Sequence, residues 1–301
     1  MEGDAMNSDN LSENKTTKAE IVQTEFADID RFHLTTGLFQ IMGGKRKPDP
    51  VEINIDLSNG GKLRITAFWP LRPFDQKLLC AIVCKAAQSK KIISPDTTTE
   101  LGIELRNKLE LLEEAAKEKC LAYQTSARQL IEDMGLEWAG KKSIKQIEES
   151  LDRLFHTTFT LETYKNNKRI RYLFRLMSHV KLEDNKKDIT MAFGLNIILA
   201  KALVEHGHYA RINMEIMRSL EQAQQLLFVA LCNAIDLGKK RSFTWDELRE
   251  FIYGKKPENI IKNTYIKQIS RTKALIFNLI NSLHNWKIEE KSDLIWIKRP
   301  Q

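Results

Sequence analysis

Apolar and polar residues alternate strictly over "VEINIDL", placing Val51, Ile53, Ile55 and Leu57 on one face of a strand. "SNGG" follows and "KLRITAF" alternates again, which predicts a β-hairpin closed by an Asn-Gly turn. The period then changes. Leu78, Leu79, Ile82, Val83 and Ala86 fall at helical spacing in "PFDQKLLCAIVCKAAQ", and Pro73 and Asp75 suit its start. Residues 90–100 read as a polar loop, "LGIELRNKLELLEEAAKEK" as a charged amphipathic helix, and "CLAYQT" as a short strand. "SARQLIEDMG" opens on a capping box, Ser126 with Gln129, and closes on Gly135. "KSIKQIEESLDRLF" is a strong amphipathic helix. Residues 158–177 alternate around the polar turn "KNNK", and a second turn, "EDNKKD", leads to a strand at Ile189–Phe193.

"GLNIILAKALVEHG" reads as a helix joining two halves. After it come a short strand "HYARI", a short helix "NMEIMRSL", a buried helix "EQAQQLLFVALCNAID" and a strand fragment "RSF". "TWDELREFIYG" again opens on a capping box, Thr244 with Glu247, and closes on Gly254. "PENIIKNTYIKQISRTKALIFNLINSLH" predicts a long helix, and "WKIEEKSDLIWIKRP" a hairpin.

The two halves repeat. "IKQI" stands at Ile144–Ile147 and again at Ile266–Ile269. Gln76, Leu78, Leu79, Cys84 and Ala86 match Gln224, Leu226, Leu227, Cys232 and Ala234 at a constant offset of 148. These identities are weak alone, but both halves also share the order helix, strand, capped helix, helix, hairpin. That order predicts a helix-rich α+β fold of two tandem winged-helix domains, each a helix-turn-helix with a β-hairpin wing. Residues 1–30 are expected to be a disordered acidic extension. Residues 31–205 form the first domain, with an N-terminal hairpin and a helical insertion, and residues 206–301 the second.

In such folds the third helix enters the major groove and the wing touches the backbone or minor groove. At 100° per residue, Ile144, Ile147, Leu151 and Leu154 form the core stripe of the first third helix. The opposite face holds Lys142, Lys145, Glu149 and Arg153, with Gln146 at its edge. In the second copy Ile269, Ile276, Ile280 and Leu283 define the stripe. Opposite lie Asn263, Thr264, Lys267 and Arg271, with Gln268 at the edge. The isoleucines of both "IKQI" motifs are expected to face the core. In the first wing, Lys165, Asn166, Asn167 and Lys168 form the tip, and Arg169 and Arg171 lie opposite an apolar face. Lys and Arg suit phosphates and guanine, Asn and Gln suit adenine.

Charge sharpens this picture. The 301 residues carry a net +7, but residues 1–30 hold eight acidic and two basic residues, leaving +13 on the rest. Residues 141–175 hold nine basic and four acidic residues, and residues 255–273 hold six and one. A basic body with clustered charge points to double-stranded DNA. For one helix alone a solvated face explains the charges equally well; two copies favour the DNA reading. "GGKRKP" at Gly43–Pro48 is a further basic cluster, in a loop that solvation alone accounts for.

Catalytic chemistry finds little support. "HGH" at His206–His208 and Tyr164 with Lys168 superficially resemble the histidine and nucleophile motifs of rolling-circle nickases. The central Gly does not fix two histidines on a strand face, and the order of the motifs is reversed. No P-loop is present, and His33, His179 and His284 are isolated. Cys80, Cys84, Cys120 and Cys232 show no metal spacing and read as core thiols. No catalytic residue, metal or cofactor is expected. No apolar run approaches the roughly 18 residues of a membrane span, and the polar, acidic N-terminus suits neither a signal nor a transit peptide. The expected location is the cytoplasm, on DNA.

The chain also resembles the RepC-type replication initiators of IncQ-like broad-host-range plasmids. The resemblance rests on "LTTGLF" (Leu34–Phe39), "RYLFRLMS" (Arg171–Ser178), "ALVEHGHYARINMEIMRSL" (Ala202–Leu220) and "LLFVALCNAID" (Leu226–Asp236). It implies a non-enzymatic protein that binds directly repeated origin sites, iterons. It also implies opening of an adjacent AT-rich segment, with a plasmid helicase and primase as partners. Apart from the resemblance, a homodimer stays open as a further partner. A winged-helix transcriptional regulator is the alternative, since fold alone does not separate the two.

Overall fold

A computed structural model of the chain describes residues 25–301 except 35–36, 42–49, 58–59, 90, 167, 186–187, 197, 200–208 and 259. Its first element is β1 (Phe26–Asp30), with Ala27 and Ile29 fully buried. This corrects the expectation of disorder for Phe26–Asp30. β2 (Val51–Asp56) and β3 (Lys62–Ala67) form the expected hairpin. α1 (Pro73–Ser89) begins on Pro73, whose fixed φ suits a first turn. Twelve of its 17 residues are buried, so it crosses the interior rather than lying on the surface.

β4 (Lys91–Ile93) and α2 (Glu100–Lys108) follow, the helix capped by the Thr99 hydroxyl, which accepts from the Gly102 amide. The single charged helix expected over residues 101–119 is not formed. Glu110 and Glu113 take positive φ, 49° and 56°, and the chain leaves the helix for a two-residue strand, β5 (Leu112–Glu113), and a 3-10 turn at Glu114–Lys117. The Leu109 carbonyl accepts from the Arg175 amide at 2.9 Å. Tertiary pairing here overrides helix propensity.

β6 (Cys120–Ser126) leads into α3 (Ala127–Asp133). The Ser126 hydroxyl accepts from the Gln129 amide, but the Gln129 side chain donates to Asp133 rather than returning to the cap. α4 (Lys141–Phe155) precedes four strands: β7 (Thr157–Lys165), β8 (Lys168–Arg175), β9 (Met177–Asn185) and β10 (Asp188–Leu195). The second half comprises β11 (Tyr209–Asn213), α5 (Met214–Ser219), α6 (Gln222–Ala234), β12 (Lys240–Phe243), α7 (Trp245–Tyr253), α8 (Lys262–Ser282), β13 (Lys287–Lys291) and β14 (Leu294–Lys298). The capping box of α7 is complete. Thr244 Oγ1 accepts from the Glu247 amide at 3.2 Å, and the Glu247 carboxylate accepts from the Thr244 amide at 2.7 Å.

Strand pairing reveals an equivalence that chain order hides. In the second half, β12, which leads into capped α7, pairs with β14 in a sheet ordered β12-β14-β13. In the first half, β6, which leads into capped α3, pairs with β10 in a sheet ordered β4-β6-β10-β9. The hairpin equivalent to β13–β14 is therefore β9–β10. The hairpin directly after α4, β7–β8, was expected to play that part and does not. It joins a separate sheet ordered β2-β3-β7-β8-β5.

One apolar core runs through both halves, from Ala27 to Ile297. β1 pairs antiparallel with β11, and Arg211 donates two hydrogen bonds to the Asp28 carboxylate at 3.0 and 3.2 Å. Gln225 of α6 donates to the Pro73 carbonyl of α1 at 2.7 Å. The expected boundary at 205/206, like "HGH" and "GGKRKP", lies outside the described residues. The four cysteines are buried and free; burial pushes the thiols of Cys84 and Cys120 up to about 11 and that of Cys232 to about 12. Among the described residues no helix is long and apolar enough to cross a membrane.

Candidate nucleic-acid interface

α8 is 21 residues long, and its core contacts are confined to its C-terminal half. Thr272, Ile276, Leu279 and Ile280 are buried, as is the C-capping Leu283, whereas no residue of Lys262–Arg271 is. About 15 Å of helix therefore lies beyond the apolar core, with its outer face exposed. Asn263, Thr264, Lys267, Ser270 and Arg271 are exposed on it. The helix contains no acidic residue, and among the described residues neither Lys267 nor Arg271 forms an ion pair.

Side chains at its base hold this half in place. Arg249 of α7, 1% exposed, donates to the Gln268 side-chain oxygen at 2.8 Å and to the Gly254 carbonyl at 3.1 Å. The Tyr265 hydroxyl donates to Asp246, and this hydrogen bond to a carboxylate raises the phenol above its ordinary range. The Lys256 ammonium lies 4.2 Å from the Tyr265 ring centroid. Gln268, expected at the edge of the outward face, is thus half-buried and serves to anchor α7 to α8. The isoleucines also depart from expectation: Ile269 is only half-buried, and Ile266 is 51% exposed.

α4 is set differently. Burial starts at its third residue, Ser143, and includes Ile147, Ser150, Leu151 and Leu154. Lys142, Lys145, Gln146 and Glu149 are exposed as expected, but their face is mixed in sign. Lys145 lies 3.9 Å from Glu149, and Glu148 lies 3.2 Å from Lys181. Arg153 leaves that face altogether. Its side chain is 12% exposed and donates to both oxygens of Asp75 in α1, at 2.9 and 2.8 Å. Asp75 also accepts from the Ser150 hydroxyl at 2.6 Å and the Arg72 amide at 2.7 Å. Arg153 is a brace between helices, because a buried carboxylate requires a partner of opposite charge.

The β7–β8 tip places Asn166 at φ 51° and pairs Lys165 with Lys168 across the strands; Asn167 lies outside the described residues. Arg169 contacts Glu162 at 2.5 Å, and Arg171 lies 3.7 Å from both Glu162 and Glu113. Solvent screens these exposed pairs, so both guanidinium groups stay available at the surface of the five-stranded sheet.

Sequence reasoning missed a row of lysines. Lys240, Lys298 and Lys287 stand in register on β12, β14 and β13. With Lys239 and Trp296 they line a depression of about 510 Å³, and the Lys240 ammonium lies 5.1 Å from the Trp296 ring centroid. Glu289 lines the same depression and pairs with Lys291 at 2.8 Å, whereas none of the three forms an ion pair within 4 Å among the described residues. Like charges directly opposite one another destabilise a sheet. The signal was present in the basic residues, but only strand pairing aligns them.

A family model for replication protein C, RepC, matches residues 23–301. The chain belongs to the RepC family. It is thus a replication initiator of the RepC type. Two solved structures of domains 2 and 3 of RctB share its fold, each covering 87% of this RepC-family chain and 95% of the other. Their TM-scores are 0.52 and 0.50, at 11% and 10% identity. No curated protein matches the chain.

Proposed function

We propose that this RepC-family protein initiates plasmid replication by binding directly repeated origin sequences as two tandem winged helices. α7 and α8 form the helix-turn-helix of the second, with β13–β14 as its wing. α3, α4 and β9–β10 are their counterparts in the first. The observation that carries this reading is the N-terminal half of α8: about 15 Å of acid-free helix with its outer face exposed, and the major groove admits an α-helix. Asn263, Thr264, Lys267 and Arg271 read bases or neighbouring phosphates there. Lys142, Lys145 and Gln146 make a weaker second contact from α4, whose face carries compensating acids. The lysine row, the exposed residues of the β7–β8 tip, and Arg169 and Arg171 neutralise backbone phosphates.

Two readers on one chain span successive major grooves, so one monomer covers roughly 20 bp of non-palindromic sequence. Opening of the origin and recruitment of a plasmid helicase and primase would follow on other surfaces. Footprinting on the cognate origin tests this reading. Protection of direct repeats by monomers supports it; protection of a short inverted repeat by dimers alone contradicts it.

A further inference from the structure

Ile144 and Ile266 occupy the same place in the two "IKQI" motifs, yet their surroundings differ. Ile144 packs against the core, whereas Ile266 is 51% exposed. On α8 the residues one turn away, Lys262, Asn263 and Ser270, are exposed as well, and Ile269 is half-buried. Ile266 therefore stands on the exposed flank of the N-terminal half of α8, among polar and basic side chains, contributing little to the fold. Its Cα–Cβ bond tilts toward the helix N-terminus, as in every α-helix, and so toward Asn263.

The chemistry of this group selects its partner. In the major groove hydrogen-bonding edges distinguish most base pairs, and a single apolar group is offered, the C5-methyl of thymine. A branched aliphatic side chain has no hydrogen bond to give and gains only by covering that methyl. We infer that Ile266 is a specificity-determining residue that reads a thymine methyl, beside the base contacted by Asn263. This rests on the proposed insertion of α8 into the major groove. It adds a requirement that the polar residues do not impose, since phosphates and hydrogen-bonding edges are the same with or without the methyl.

Replacing thymine by deoxyuridine removes that methyl and leaves every hydrogen-bonding group in place. Burial of one methyl-sized group corresponds to about a three- to fivefold change in affinity. Origin duplexes carrying single deoxyuridines should show such a loss at one thymine of each repeat with the native protein. Ile266→Ala should bind the native repeat about as weakly as the native protein binds that deoxyuridine duplex, and should be indifferent to the substitution. Ile266→Val, which keeps a branched side chain, should retain the sensitivity. Ile144→Ala should lower the melting temperature and leave the sensitivity unchanged. Specific binding with no deoxyuridine effect, or an effect that survives in Ile266→Ala, overturns this inference alone. Absence of sequence-specific binding by the native protein overturns both this inference and the proposed function.

Discussion

Arg153 of α4 grips the fully buried carboxylate of Asp75 in α1 through two hydrogen bonds of 2.8 and 2.9 Å. Removing one partner of such a pair leaves a charge stranded in the interior, at a cost of about 3–5 kcal/mol. Arg153→Ala should therefore lower stability by roughly that amount in urea denaturation. DNA affinity of the fraction that remains folded should change far less than in variants of Lys267. A stable Arg153→Ala protein with abolished binding would return Arg153 to the interface.

Lys267 and Arg271 project from α8 with no ion pair among the described residues. Replacing both with Ala should weaken binding to origin repeats with little change in melting temperature. If each neutralises a phosphate, the slope of log K against log salt should become shallower by about two. Replacing Lys142 and Lys145 should cost less, since that face already carries Glu148 and Glu149. Equal losses in gel-shift titrations would contradict the ranking of the two helices.

The lysine row makes stability and binding pull in opposite directions. Lys298 stands between Lys240 and Lys287, so Lys298→Ala should relieve repulsion and stabilise the free protein by up to about 1 kcal/mol at low salt. The same variant should bind DNA more weakly. Thermal melts with and without DNA measure both signs. A variant unchanged in both would reduce the row to a solvated surface.

Glu25 links the start of the described chain to α1 and α5, accepting from Lys85 at 2.5 Å and from Arg218. Burial raises its pKa, but the hydrogen bonds from Lys85 and Arg218 outweigh this and hold it below its ordinary value of 4.5. A depressed carboxylate stabilises the fold above the unfolded pKa, and that contribution fades as pH falls through the folded value. Glu25→Gln should accordingly be less stable than the native protein at pH 7. The difference should shrink progressively below about pH 4.5. Denaturant midpoints across this range check the sign.

What depended on neighbours a few residues away was legible. Thr244 and Glu247 form their capping box because both ends of it lie within one helical turn. The Val51–Asp56 hairpin follows from alternation and its turn. The candidate face of α8 was also readable, since Asn263, Thr264, Lys267 and Arg271 need only the helical period to fall together. Gln268 and Arg153 were misplaced because their true partners, Arg249 and Asp75, lie on other helices.

The sequence by itself thus determined the periods, the caps, the sign of the charge and the presence of two related helices. Only the tertiary structure decided which hairpin completes each sheet, that β1 pairs with a strand from the other half, and that lysines on three strands align. It also decided that one "IKQI" packs against the core through Ile144 and Ile147, while the other leaves Ile266 exposed and Ile269 half-buried. The physical reason is range. Helical and strand periods are set by backbone geometry within a few residues. Burial is set by where distant apolar surfaces meet, and a motif of four residues carries no record of that.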